Sequence, residues 1–207
     1  MSDLICDHLP QGGSQCFPLS HIKDSAVAQF RQHYSNDSIT KEQIFHYIYA
    51  LLHHLGYRER YAANLKRELP RIPFAPGVTA FAAFAAAGAE LARLHVEYET
   101  LEPWPLESVE TKDVPYSEHV TKMKLSADRQ SLRVNDSLTL SGIPPATFDY
   151  RLGSRSALEW VIDQYQVKGE SDPNREDDPD YIVRLVGQVV RVSVETARIV
   201  MGLPDYR

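Results

Sequence analysis

The chain has 207 residues, with 28 Asp and Glu against 22 Lys and Arg and a net charge of −6. That balance excludes a nucleic-acid binder that is basic over its whole surface. It leaves a local basic face open, because binding depends on where charge sits. Only Cys6 and Cys16 are cysteines, which excludes a disulfide framework and points to a reducing cytoplasm.

In chain order, no secretory leader is expected, since Asp3 and Asp7 sit where a basic start and a long apolar core would be needed. Leu4 to Leu9 and Gln15 to Leu19 read as short strands around the turn Gln11 to Ser14. A chain that opens in mid-sheet reads as the continuation of a larger protein. Asp24 to His33 reads as a short helix. Thr40-Lys-Glu-Gln43 is a capping box opening a stronger helix, with Ile44, Ile48, Leu51, Leu52 and Leu55 as its buried stripe. Gly56 marks a break, and a second, basic helix is expected to run on to Pro70. Arg71 to Phe74 is then expected to be extended, because prolines flank it.

Pro76 to Glu97 reads as a long helix whose alanine-rich faces permit close packing. Its apolar run meets Glu90 and Arg93 before reaching spanning length, so a packed helix is expected rather than a membrane span. Pro103-Trp-Pro105 ends that region in an acidic connector. From Val120 to Leu140 the apolar period changes to short alternation, with turns at Ala127-Asp128 and Asn135-Asp136, which predicts a small antiparallel meander between His119 and Ser141. Ser156-Ala-Leu-Glu159 is a second capping box, opening the helix of Trp160 to Tyr165. Lys168 to Asp178 reads as a loop, and a long C-terminal helix runs from Asp178 to Met201, stopped by Gly202 and Pro204. The expected class is α+β, mainly helical, with a small antiparallel β-meander and short N-terminal strands. Residues 1–207 are expected to form one domain or the C-terminal fragment of a larger protein, with sub-regions at 1–100 and 101–207.

The segment Tyr57 to Phe74 carries the most chemistry. On a helix, Tyr57, Tyr61, Leu65 and Leu69 share one face, and Arg60, Asn64 and Arg67 another. From Arg58 to Arg71 five basic residues stand against two acidic ones, a local +3 in an acidic protein. Arg58, Arg60, Lys66, Arg67 and Arg71 are therefore candidate phosphate contacts, with Asn64 beside them; the plain alternative is a solvated helix face. Lys122, Lys124, Arg129 and Arg133 on the meander are weaker candidates, and Arg151 and Arg155 around Gly153 weaker still. Gly12-Gly-Ser-Gln15 is either a tight hairpin turn or a close approach that lets Gln15 read an adenine edge.

Other groupings have readier structural readings. His53 and His54 form either a proton-transfer pair or a helix-end cap. Tyr47, Tyr49, Tyr57 and Tyr61 are at core spacing, and no base-stacking role is assigned to them. Trp160 is expected to be a packing anchor. Cys6, His8, Cys16 and His21 lack paired metal-ligand spacing, so structural cysteines are expected. No nucleophile elbow, phosphate-cradling glycine loop or H-E-x-x-H motif occurs.

The wording of four segments is familiar. IFHYIYALLHHLGYRERYAANLKRELPRIPF, GGSQCFPL, GIPPATFDYRLGSRSALEWVIDQYQV and YIVRLVGQVVRVSVETARIVMGLP together resemble the C-terminal target-recognition (specificity) domain of Type ISP restriction-modification enzymes. They are more loosely similar to the specificity regions of single-chain Type II restriction-methylation enzymes. The resemblance covers nearly the whole chain, in order. It implies a DNA sequence-recognition domain that directs cleavage and adenine methylation, without catalysis of its own. The implied partners are double-stranded DNA and the upstream methyltransferase and translocase domains of the parent protein, with no membrane involved. The implied parent also carries a nuclease. Its ATP, magnesium and S-adenosylmethionine would belong to those absent domains. Two rivals stay open: a scaffold domain that docks on neighbouring domains without DNA, and a metal-dependent enzyme using scattered Asp and His residues. The second rival lacks any motif.

Overall fold

The computed structural model describes residues 4–6 and 16–207. The mixed composition of helical and alternating segments resolves into an α+β fold with two compact units. One comprises the described part of Met1–Val96 with Arg198–Arg207, the other Glu97–Ala197.

In the first unit, β1 (Leu4–Cys6) and β2 (Cys16–Pro18) pair antiparallel. The turn expected between them, with Gln15, lies outside the described residues. Helix α1 (Asp24–Tyr34) comes next and ends at Ser35, which takes the left-handed conformation (φ 49°). Helix α2 (Lys41–His53) opens on the capping box read from the sequence: Gln43 N donates to Thr40 Oγ1 at 3.2 Å, and Thr40 N donates to Gln43 Oε1 at 3.0 Å. The break comes at His54, two residues before Gly56. His54 leaves the helix at ψ 122° and its ring caps α3 (Leu55–Arg60), Nδ1 accepting from Tyr57 N at 3.2 Å. That turn rotates the helical phase. Ile44 and Leu51 are buried, Ile48 and Leu52 pack partly against the core, and Leu55, expected in the same stripe, is 60 % exposed.

The basic segment also departs from expectation. Helix α3 stops at Arg60, and residues 61–67 are a run of turns rather than a helix reaching Pro70. Single helical bonds survive within it, from Leu65 N to Tyr61 O and from Glu68 N to Asn64 O. Tyr57 is buried while Leu69 lies 53 % exposed, so the expected apolar face holds at its start and dissolves at its end.

Helix α4 (Val78–Val96) packs on α2 with very close approach. A Cβ at Gly88 would collide with the His46 carbonyl oxygen, so only glycine fits there. Phe30, Tyr34, Tyr47, Phe81 and Phe84 fill the core around this crossing.

In the second unit, β3 (Glu107–Glu110), β4 (Lys124–Leu125), β5 (Ser131–Arg133) and β6 (Leu138–Ser141) form an antiparallel sheet in the order β3-β6-β5-β4. The last three are the meander the alternation predicts. Strand β3 has no such signature: it lies in the acidic segment read as a connector, and all its side chains are exposed. Leu138 and Leu140 of β6 point inward, and Leu132 pairs across with Leu140. They meet Leu158 of α5 (Ala157–Gln164) and Ile182, Val186 and Val190 of α6 (Tyr181–Met201).

Two asparagines organise the connections. The buried Asn135 accepts at Oδ1 from Ser137 N and Leu138 N, both at 2.8 Å. Its Nδ2 donates to the carbonyls of Ser117 and His119, also at 2.8 Å. Asn174, in the loop expected from Lys168 to Asp178, pairs its amide with both backbone groups of Val120, as a neighbouring strand would. A short hairpin, β7 (Arg151–Leu152) and β8 (Arg155–Ser156), leads into α5, whose capping box forms as read from Ser156 and Glu159. Trp160 is less buried than a packing anchor would be, at 41 % exposed, because its indole lies over this hairpin with Nε1 donating to Leu152 O at 3.2 Å. No helix among the described residues is long and apolar enough to cross a membrane.

Candidate nucleic-acid interface

The basic segment is positioned by the proline-rich stretch at its C-terminal end. Leu69, Ile72 and Ala75 each precede a proline, which keeps them out of the helical region. Three buried tyrosines reach this stretch from three helices. Tyr57 donates to Arg71 O at 2.8 Å, Tyr47 to Pro73 O at 2.6 Å, and Tyr34 to Ala75 O at 3.1 Å. Carbonyls at alternate positions are thus held against the core, and burial pushes the Tyr57 hydroxyl up to about 12. Tyr47 and Tyr57 are core residues at 0 % and 1 % exposure, which leaves them no face for a base.

With its backbone anchored on one side, the segment turns its charges to solvent. Arg58, Arg60, Asn64, Lys66, Arg67 and Arg71 are all exposed. Arg71 lies 3.9 Å from Glu68, with its side chain 92 % exposed. Among the described residues, Arg58, Arg60, Lys66 and Arg67 meet no carboxylate in ion-pair range. A cleft of about 210 Å³ lies along the segment, lined by Tyr61, Asn64, Leu65, Glu68 and Arg71 among others. Arg207, which charge counting along the segment does not reach, is brought here by the fold and donates to Tyr61 Oη at 2.8 Å.

The histidines nearby serve the scaffold. Burial lowers the affinity of His54 for a proton, in keeping with its role as an acceptor for Tyr57 N. His53 Nδ1 lies 2.8 Å from Tyr49 O, and Tyr49 Oη lies 2.6 Å from His95 Nδ1. Burial drives His95 down to about 3, so it stays neutral at physiological pH.

The candidates of the second unit divide. Lys122 and Lys124 are exposed, and Lys124 sits on the edge strand β4. Arg129 instead bonds Glu159 at 2.5 Å and lies 3.8 Å from the Phe148 ring centroid. Arg133 lies 3.8 Å from Asp136, Arg155 lies 3.0 Å from Asp163, and Arg151 donates to Ser154 O across the hairpin. Among the described residues, no group of three or more His, Cys, Asp or Glu could hold a metal ion.

Comparison with known proteins gives these features a context. The family model described as "Type ISP C-terminal specificity domain" matches residues 2–192. The chain is similar to part of a structure described as a DrdV–DNA complex, at 38 % identity and a TM-score of 0.75, covering 88 % of this chain and 20 % of that one. It is also similar to a nuclease-deletion mutant of the Type ISP restriction-modification enzyme LlaGI in complex with a DNA substrate mimic. There the identity is 34 % and the TM-score 0.72, over 83 % of this chain and 17 % of that one. A third similar structure is the ATP-dependent Type ISP restriction-modification enzyme LlaBIII bound to DNA, at 26 % identity and a TM-score of 0.77, over 99 % of this chain and 14 % of that one. The chain thus spans a fifth or less of the length of these relatives. No curated protein matches. From the family match over most of its length, the chain belongs to the Type ISP C-terminal specificity domains.

Proposed function

We propose that this chain selects the DNA sequence on which a Type ISP restriction-modification enzyme acts, directing both its cleavage and its adenine methylation. The observation that carries this reading is the family match over residues 2–192. The likeness to three structures described as bound to DNA or a DNA mimic supports it further. In physical terms, Arg58, Arg60, Lys66, Arg67 and Arg71 hold backbone phosphates and fix register, with Lys122 and Lys124 as contacts from the second unit. Asn64 and Gln15 carry amides able to read an adenine edge with paired hydrogen bonds.

The rest of such an enzyme supplies the chemistry. In this reading the nuclease, the ATP-driven translocase and the adenine-N6 methyltransferase lie upstream, and ATP, magnesium and S-adenosylmethionine bind there. The domain itself turns over no substrate, and the enzyme works in the cytoplasm.

Selection of duplexes from a random pool, and then a salt series on the selected sequence, tests the proposal. One enriched sequence motif and an affinity that falls steeply with salt are expected. No enrichment and no salt-dependent binding would overturn it in favour of a docking scaffold, which the net charge of −6 favours.

A further inference from the structure

Residues far apart in sequence meet at one aromatic ring. Tyr206 is buried and packs edge-on against Tyr57, with centroids 5.7 Å apart, and against His54 at 5.1 Å. Its burial fixes the backbone beside it and delivers Arg207 to the basic segment. Arg207 Nη2 donates to Tyr61 Oη at 2.8 Å, and its guanidinium lies 5.9 Å from the Tyr61 ring centroid. The Arg60 guanidinium lies 5.9 Å from that same centroid. Both arginines are exposed, and among the described residues neither meets a carboxylate in ion-pair range.

We infer that Arg60 and Arg207, gathered on Tyr61, form a binding site for one phosphate of the DNA backbone. The inference rests on the DNA-binding reading above and extends it to a residue outside the basic segment. Both guanidinium groups lie beside the same ring, and an anion that reaches both gains from two positive charges. Arginine forks match phosphate oxygens in geometry as well as charge. Tyr61 completes the site: its hydroxyl oxygen accepts from Arg207, which leaves the hydroxyl proton free to donate to a phosphate oxygen. Tyr57 holds Tyr61 from below, with their rings 4.9 Å apart.

The test is duplex affinity across a salt series on the 207-residue chain, with Arg207→Ala, Arg207→Lys, Arg60→Ala and Arg67→Ala, each checked for an unchanged unfolding midpoint. Loss of one phosphate contact lowers the slope of log affinity against log salt by about 0.9, so the affinity lost between about 50 and about 200 mM salt shrinks by about 3.5-fold. That result is expected when Arg60→Ala and Arg207→Ala are combined, because either arginine alone still reaches the phosphate they share, and each single variant lowers the slope by less. Arg207→Lys is expected to keep the slope, since the charge remains, and to bind more weakly, since the fork is gone. A double variant whose slope is no lower than that of Arg60→Ala alone, beside a reduced slope for Arg67→Ala, overturns this site and leaves the DNA reading standing. A wild-type chain whose duplex binding is insensitive to salt overturns both.

Discussion

The two basic regions of this chain look alike in sequence and differ in structure. Between Arg58 and Arg71 most of the cations face solvent with no carboxylate in ion-pair range among the described residues, on a segment whose carbonyls are fastened to the core. Around β4 to α5 the arginines serve the fold: Arg129 joins Glu159 and Phe148, and Arg155 joins Asp163 and lies near Trp160. Counting charge finds both regions. Only the fold says which cations remain available to a ligand, because a carboxylate partner can come from a distant position, as Glu159 does for Arg129 from 30 residues along the chain.

Loss of the scaffold under the first region would do the most damage. Gly88→Ala forces a methyl group into the His46 carbonyl, so α2 and α4 must move apart, at a cost of about 3 kcal/mol or more. Denaturant unfolding monitored by fluorescence checks this, and DNA affinity is expected to fall with the lost structure. In the second region the corresponding keystone is polar. Asn135→Ala leaves the buried amides of Ser137 and Leu138 without their partner, removes a donor from the part-buried carbonyls of Ser117 and His119, and is expected to cost about 3 kcal/mol, read from the same unfolding curves.

Single-cation variants sharpen the contrast directly. Arg129→Ala is expected to lower stability by about 1 kcal/mol through the lost Phe148 and Glu159 contacts while leaving the salt slope of DNA binding unchanged. Arg67→Ala should do the reverse, lowering the slope by about 0.9 with stability within about 0.5 kcal/mol of wild type. Equal salt slopes for the two variants would erase the distinction between the regions.

The smallest effect is a pH dependence confined to the second region. Ser156 N holds the Glu159 carboxylate below its ordinary range, with help from the Ser156 hydroxyl and the Arg129 charge. A carboxylate depressed in the folded state stabilises fully above its unfolded value, about 4.3, and loses that contribution as pH falls through the folded one. Wild type should therefore lose stability relative to Glu159→Gln as pH drops below about 4.3. Unfolding curves that run parallel for the two proteins across that window would discount the role of the charge.

Local signals are legible in this sequence and long-range ones are not. Both capping boxes form as read, because each is settled within four residues. The β4-β5-β6 meander comes from alternation that one buried face imposes. The basic helix is shorter than its spacing suggests: the period is helical as far as Leu69, whereas the tyrosine hydroxyls and three prolines pull the chain out of that path. Strand β3 carries no apolar alternation, since it pairs with β6 only through its backbone and exposes every side chain. Arg207 has no local signal at all, because its place depends on where Tyr206 is buried.

The tyrosine-fastened segment has a consequence for self-association. An extended stretch beside a hydrophobic core is ordinarily a template on which another chain can add a strand. Here the carbonyls of Arg71, Pro73 and Ala75 are occupied by hydroxyls. Pro70, Pro73 and Pro76 have no amide proton to offer. Within residues 70–76 only Arg71, Ile72, Phe74 and Ala75 keep an amide proton, so the stretch offers fewer donors than a regular strand of its length. The same residues that hold the basic segment in place thus make its trailing end a poor site for aggregation, which lets an exposed, charged surface persist beside an aromatic core.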